Sequence, residues 1–574
     1  MSLARALPTL TVAVGLAGGA VWPAVANAQF VKPPAPAAYV LQGVTLVGPD
    51  GSRRSDVTIV VRRGFIEAIG NIDIPPDAEL LEGDSLMVYP GLIDAEGKAD
   101  VDFPEIEVDR EELAFWAPPR DAQGFLPHRR VVDHLTSTGS DLESQRTKGV
   151  VAAAVHPDGP VMPGRGAVLL FRKGAETPAD LVVDPELGPV MSFRGARGMY
   201  PGAYFGVVAF IRQSLEDARH DGLKLAAHQR DPRGLKAPSW DPDYAVLRDV
   251  LQGRTPVFFA ADRAQDIRRV LGLATEYGFQ PVIVGGDEAW KVADLLKERD
   301  VAVLVSLDFP KPERWKPEKE KEEEAEVPDT AAVEEPEQEE APEPLDAAEQ
   351  REKQRLEDIY SNAGRLAGAG VRFALTSGGG KADLREGARK AIEYGLGEDQ
   401  ALAAVTSAPA EILDVPYLSR VEEGMPATFV VVDGSLFDEE SEIRYTFVEG
   451  ELEKGKPKKE AKAAEEEPAV DVTGTWEVKI DAEGETIGGK MTLEQEGAEF
   501  IGTMELDVGT GRIQNGIVSG DEITFEILIS EGGESITVEV TGTVEEDEAS
   551  GSGSSPMGSF TWTAKRTGTP DRGE

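Results

Sequence analysis

Short apolar runs recur along the first three quarters of the chain, separated by stretches of helical period. Residues 149–155 and 166–171 are continuously apolar, which predicts strands buried on both faces of a parallel sheet. Further runs at 255–262, 281–286, 301–305 and 371–377 read as strands. Residues 206–219, 264–277, 287–299 and 349–368 read as helices between them. This alternation predicts a (β/α) barrel, whose binding pocket lies at the carboxyl ends of its strands. Beyond residue 470 the period falls to two, with segments such as Gly474-Thr475-Trp476-Glu477-Val478 and Phe560-Thr561-Trp562-Thr563-Ala564. That tail, residues 470–568, predicts a separate antiparallel β-barrel, with Trp476 and Trp562 as core plugs.

The most informative phrase is Tyr89-Pro90-Gly91-Leu92-Ile93-Asp94-Ala95-Glu96-Gly97-Lys98. An apolar pair after Pro-Gly ends in a polar cluster, as where a buried strand opens onto a binding face. In extended backbone Asp94, Glu96 and Lys98 share one side. Two carboxylates could serve a metal, but Lys98 puts positive charge where the cation would sit, so an internal Glu96–Lys98 ion pair is expected. The five histidines include no His-x-His or His-x-x-x-His pair. His156 with Asp158 at a strand end is the one weak metal candidate.

The phrase resembles the Pro-Gly-Leu-Ile-Asp of the amidohydrolase superfamily, in particular its imidazolonepropionase-like branch, where His-x-His follows. Residues 39–46 and 56–70 resemble the small β-domain that precedes that family's barrel; residues 401–410 and 421–434 resemble its last helix and returning β-segment. The resemblance implies a (β/α)8 TIM barrel over residues 91–410. It also implies a small composite β-sandwich from flanks 38–90 and 411–452. Its family reaction is metal-dependent hydrolysis of carbon–nitrogen bonds, and its family metal is zinc. Carried over position by position, the ligand places hold Glu96, Lys98, Ala260, Gly285 and Ser377. A zinc site needs about three protein ligands and an open position. The expectation is therefore no cofactor, no catalytic residue, and a ligand-binding or partner pseudoenzyme whose old metal pocket is Asp94, Glu96, Lys98, Ala260, Gly285 and Ser377. The alternative is an active hydrolase with an unconventional metal site. Ligand-poor members of the branch accompany complete ones, which implies an active relative, or another copy of the chain, as partner. The Gly-Thr-Trp opening and Thr-Ala-Lys-Arg ending of the tail are similar to small lipocalin-like barrels.

Charge and cysteine content complete the picture. The formal charge is −45 over 574 residues, which disfavours nucleic acid and anionic membranes as partners. Residues 311–346 form an acidic, Pro-studded insertion expected to be disordered, and residues 453–468 a charged linker. Arg5, the apolar run 10–21 and Ala26-Asn27-Ala28 read as a signal peptide over residues 1–28. A periplasmic or secreted protein follows, without membrane insertion after cleavage. No cysteine is present, so no disulfide staples it.

Overall fold

The computed structural model describes residues 38–104 except 82 and 84, 116–310, 347–455, and 470–568 except 483–484, 507–508, 532–533, 546 and 556–557. The expected signal peptide, the acidic insertion and all but the first three residues of the linker lie outside the described residues. Strands β1 (Ala38–Val47), β2 (Arg53–Arg62), β3 (Phe65–Gly70), β4 (Ala78–Leu81) and β5 (Met87–Pro90) open the chain. Between β2 and β3, Arg63 and Gly64 both adopt positive φ, +53° and +88°. Two successive left-handed residues match the twist of a tight hairpin.

Immediately beyond Gly91 begins β6 (Leu92–Gly97), which pairs in parallel with β7 (Val150–Val155). A methyl on Gly91 would stand 2.4 Å from Val151 Cγ2, so only glycine lets the strands approach. Helix α1 (Glu143–Thr147) leads into β7. The chain then runs through β8 (Gly164–Arg165), β9 (Ala167–Leu170), β10 (Val182–Asp184) and β11 (Pro189–Ser192).

Helices and strands then alternate. In order come α2 (Tyr204–Arg230), α3 (Pro242–Leu251), β12 (Val257–Ala260), α4 (Ala264–Tyr277), β13 (Pro281–Gly285), α5 (Ala293–Glu298) and β14 (Ala302–Ser306). They are followed by α6 (Ala347–Tyr360), α7 (Asn362–Ala369), β15 (Phe373–Thr376), α8 (Leu384–Glu393), α9 (Glu398–Val405) and α10 (Ser407–Ile412). Strands β11 to β15 lie parallel in sequence order. Their side chains are buried on both faces, Phe258 and Leu304 against one core and Phe259 and Val303 against another. Strand β15 reaches β6 through the Gly379 N–H, which donates to the Glu96 carbonyl at 2.7 Å, so the two parallel sets meet at the carboxyl ends of their strands.

Three expectations are corrected here. Strand β9 is antiparallel to β7, Ala152 facing Leu170 and Val155 facing Ala167, and is not a parallel neighbour. Parallel neighbours need a crossover of a dozen or more residues, usually a helix, and the connection from Val155 to Ala167 contains none. The helix expected over 349–368 is two, α6 and α7, broken at Ser361, whose hydroxyl donates to the Glu357 carbonyl. The helix expected over 206–219 continues to Arg230, although its buried stripe ends at Ala218.

The chain returns as β16 (Phe429–Val432), β17 (Ile443–Val448) and β18 (Glu451–Lys454). Pairing of β16 with β5 unites both flanks in one eight-stranded sheet, ordered β18-β17-β16-β5-β1-β2-β3 with β4 on β1. Glu453, expected in the linker, belongs to β18, where it takes an ion pair from buried Arg146 of α1 at 2.9 Å.

Eight further strands, β19 (Gly474–Ala482) to β26 (Gly558–Gly568), form a closed antiparallel barrel in sequence order, β26 pairing back to β19. Trp476, Phe500, Phe525 and Trp562 fill its interior. The Trp476 indole N–H donates to the Val472 carbonyl at 2.9 Å and that of Trp562 to the Thr541 carbonyl at 3.2 Å. Both tryptophans are core plugs, each with its polar edge satisfied. No helix among the described residues is long and apolar enough to cross a membrane.

Candidate functional site

The carboxyl ends of β6, β7, β11, β12 and β13 surround a cleft of about 830 Å³, floored by Glu96, His156, Ala260 and Val284 and rimmed by Lys98 and Lys381. A smaller chamber of about 130 Å³ opens beside it, between Asp94, Lys98, Lys148 and Lys381. The backbone explains their separation. Pairing of β6 with β7 slips between Asp94 and Gly97. A methyl on Gly97 would meet Ala153 Cβ at 2.7 Å, so this slip needs glycine.

Asp94 turns into the protein. Its Oδ1 accepts from the N–H groups of Ser377 and Glu96, both at 3.1 Å, and burial pushes its pKa up despite them. The Ser377 hydroxyl donates to the Glu96 carbonyl at 3.2 Å and accepts from the Gly380 N–H at 2.7 Å. Asp94 and Ser377 therefore tie β6 to β15. Among the described residues the Glu96 carboxylate takes a Thr376 hydroxyl, at 3.3 Å. Burial first, then the Asp94 and Asp262 charges, push the Glu96 carboxyl up to about 7, against the pull of Thr376 and Lys381.

The expected Glu96–Lys98 ion pair does not form: Lys98 lies beyond the end of β6, exposed, and its stem runs along Gly380. A methyl on Gly380 would stand 2.7 Å from Lys98 Cβ, so the loop Gly378-Gly379-Gly380, with φ of +67°, +81° and +82°, gives that stem its bed. Lys98 makes no ion pair among the described residues, whereas Lys148 pairs with Asp383 at 3.2 Å and Lys381 with Asp308 at 3.6 Å.

His156 and Asp158 also part company. The His156 ring packs on Phe258, centroids 4.7 Å apart, and its Nε2 meets the Ala95 carbonyl at 3.2 Å. Burial pulls it down to about 4, so it is neutral at pH 7, with Nδ1 shut from solvent and lacking a partner. Asp158 stands in solvent, its side chain 91% exposed, bonded to Arg194 at 2.6 Å. The structure does not bring the pair together: positions two apart would share one side of a strand, but β7 ends at Val155 and Pro157 turns the chain, which leaves His156 buried and Asp158 in solvent.

Ala260 and Gly285 do reach the strand ends, but Gly285 is there for Asp262. A methyl at Gly285, whose φ is +91°, would stand 2.0 Å from Asp262 Oδ1. Asp262 is raised by burial, and Asp287 is pushed up to about 6 by burial and then by Asp262, Asp308 and Glu288. These carboxylates were missed at the sequence level, although a signal was present. Asp262, Asp287 and Asp308 each fall two residues after the ends of successive strands, in Ala260-Ala261-Asp262, Gly285-Gly286-Asp287 and Ser306-Leu307-Asp308. Among the described residues no three His, Cys, Asp or Glu side chains converge closely enough to hold a metal.

An amidohydrolase from Thermotoga maritima MSB8 superposes on the chain with a TM-score of 0.56 and 21% identity, over 73% of this chain and all of its own. The fold is that of an amidohydrolase. A prolidase complexed with N-methylphosphonate-L-proline covers the same share of this chain at 17% identity, and a zinc-bound adenosine deaminase from Xanthomonas campestris 74% at 13%. Their TM-scores, 0.41 and 0.39, are too low to add to the argument. No family model and no curated protein sequence matches the chain.

Proposed function

We propose that this chain is a pseudoenzyme on a (β/α)8 amidohydrolase barrel, which binds a small molecule through an acidic group instead of hydrolysing a carbon–nitrogen bond at zinc. The observation that carries the reading is Lys98, an ammonium without an ion pair among the described residues of a chain with 104 acids, laid along a glycine loop at the second metal-ligand place. With Lys148 and Lys381 it lines a chamber the size of a carboxylate or phosphate group. Asp383 and Asp308 pair with two of these lysines and Asp94, also in the wall, turns its Oδ1 to the N–H groups of Ser377 and Glu96, so Lys98 is the chamber lysine without an ion pair among the described residues.

The donor set does not fit zinc. Of the five family places, Ala260 and Gly285 offer no side-chain donor atom, Ser377 is spent on β6, Lys98 is a cation, and Glu96 alone offers a carboxylate. A side chain at 285 would collide with Asp262. Zinc wants three deprotonated ligands and a position for water.

The test is a thermal-shift titration with acetate, inorganic phosphate and ammonium as probes. The account expects the two anions to raise the melting temperature, ammonium not to, and Lys98→Met to abolish the gain; a ligand at about 100 times its Kd adds about 2.7 kcal/mol. Equal shifts in the wild type and Lys98→Met would contradict it. The second reading, a hydrolase with an unconventional metal site, would require the carboxylates Glu96, Asp262 and Asp287, which do not converge on one point, to close around an ion, and predicts that a divalent cation lowers their pKa values together.

A further inference from the structure

Residues 219–240 differ from the rest of the molecule in both charge and packing. The chain is at −45 overall, yet this stretch holds five cations, Arg219, Lys224, Arg230, Arg233 and Lys236, against Asp221 and Asp231. Both acids are spent locally, Asp221 on Arg248 of α3 and Asp231 on Arg233. Lys224, Arg230 and Lys236 make no ion pair among the described residues. The last side chain of α2 that is buried is Ala218, and the helix runs on for twelve residues, roughly 18 Å at 1.5 Å per residue. The following residues 231–237 are all exposed.

Apolar side chains stand among these charges. Leu223 is 64% exposed, Leu235 49% and Trp240 75%. The arm is held in place, because Asp241, next to Trp240, caps α3 through the N–H groups of Asp243 and Tyr244 and is bound by Arg120 at 2.8 Å. An exposed tryptophan on a fixed support, with arginines in the same stretch, has the composition of an interface anchor, and the two leucines add apolar area beside it.

We infer that this α2–α3 arm is a self-association surface, which seats on the acidic body of a second copy of the chain. Charge complementarity selects the occupant. The remainder of the chain is more acidic than the whole, so a second copy supplies anionic side chains that the arm fits at short range. Size is compatible, since 16 of the 22 residues are exposed and the face that receives the partner's arm adds to them, against the 20–30 that one side of a standard interface uses. In a two-fold pair each arm lies on the other body, so every contact is made twice. The inference is independent of the ligand chamber.

Sedimentation velocity of the full chain tests it. Wild type is expected to be dimeric at low salt, with a Kd that rises at least tenfold in high salt. The charge-reversed variant Lys224→Glu, Arg230→Glu, Lys236→Glu and, separately, the variant Leu223→Ser, Trp240→Ser should each weaken the dimer at least tenfold with unchanged melting temperature, while Lys98→Met leaves it intact. A monomeric wild type overturns the inference, as does a dimer that both variants preserve. Flotation with vesicles of phosphatidylglycerol and phosphatidylethanolamine supplies the rival outcome: binding of a monomer that the charge reversal abolishes would assign the arm to lipid and overturn the inference.

Discussion

Glu96 is the residue on which the chemistry of the cleft turns. Its folded pKa, about 7, lies above its ordinary 4.5 because burial disfavours the carboxylate. The native state therefore binds the proton more tightly, and this stabilisation is complete below pH 4.5 and lost as pH rises through 7. His156 acts in the opposite sense: depressed from 6.5 to about 4, it costs stability as pH falls through that window. The two offset one another between 4.5 and 6.5, which leaves the Glu96 loss visible on the alkaline side. Glu96→Gln should flatten the fall in stability between pH 6.5 and 8, by about 1 kcal/mol at 1.36 kcal/mol per unit, since the larger part of the shift acts below pH 6.5. A urea series across pH measures it, and an unchanged profile would contradict the burial argument. Gly285→Ala should cost about 1–3 kcal/mol, from backbone strain at positive φ and from collision with Asp262. Asp262→Ala should relieve only the second part. At this scale the sequence was legible in position but not in pairing. Asp94, Glu96 and Lys98 stand at the strand end that their phrase predicts, yet simple alternation could not foresee the slip at Gly97, which sends each to a different neighbour.

Among the elements, the tie between α1 and β18 joins distant parts of the chain. Arg146 is buried and donates to Glu453 and to the Gly139 carbonyl, while Thr446 donates to the carbonyl of Arg146. Removing one partner of a buried ion pair leaves the other unpaired, so Arg146→Ala should cost about 3–5 kcal/mol by denaturant unfolding. A loss below about 1 kcal/mol, the range of an exposed pair, would show that the tie is solvated. Strands β12, β13 and β15 were readable because both faces are apolar and a glycine or proline marks an end. Strand β9 looks the same in composition, since an apolar run records burial and not direction; only the connection before it determines that. The end of α2 was illegible for a related reason: its last turns have helix-forming residues but no apolar stripe facing a core.

The whole molecule combines an amidohydrolase fold with a β-barrel that has a core of its own. Closure of β26 onto β19 leaves no open sheet edge, and Trp476, Phe500, Phe525 and Trp562 pack with one another inside it. Residues 470–574 expressed alone should therefore unfold cooperatively, and Trp476→Ala should lower that stability by about 3–5 kcal/mol. A non-cooperative transition would mean that the barrel borrows stability from the rest of the chain. The period-two pattern foretold this domain, while the meander order and the closure depend on pairings between strands that no single segment contains. The proposed function requires that the strand ends seat an anion by a protein ammonium and not by a metal. Elemental analysis of the purified chain, after growth with zinc and manganese and removal of loosely held ions, tests this most directly. The account predicts metal far below one ion per chain; a stoichiometric ion, lost on chelation together with a carbon–nitrogen hydrolase activity, would contradict it.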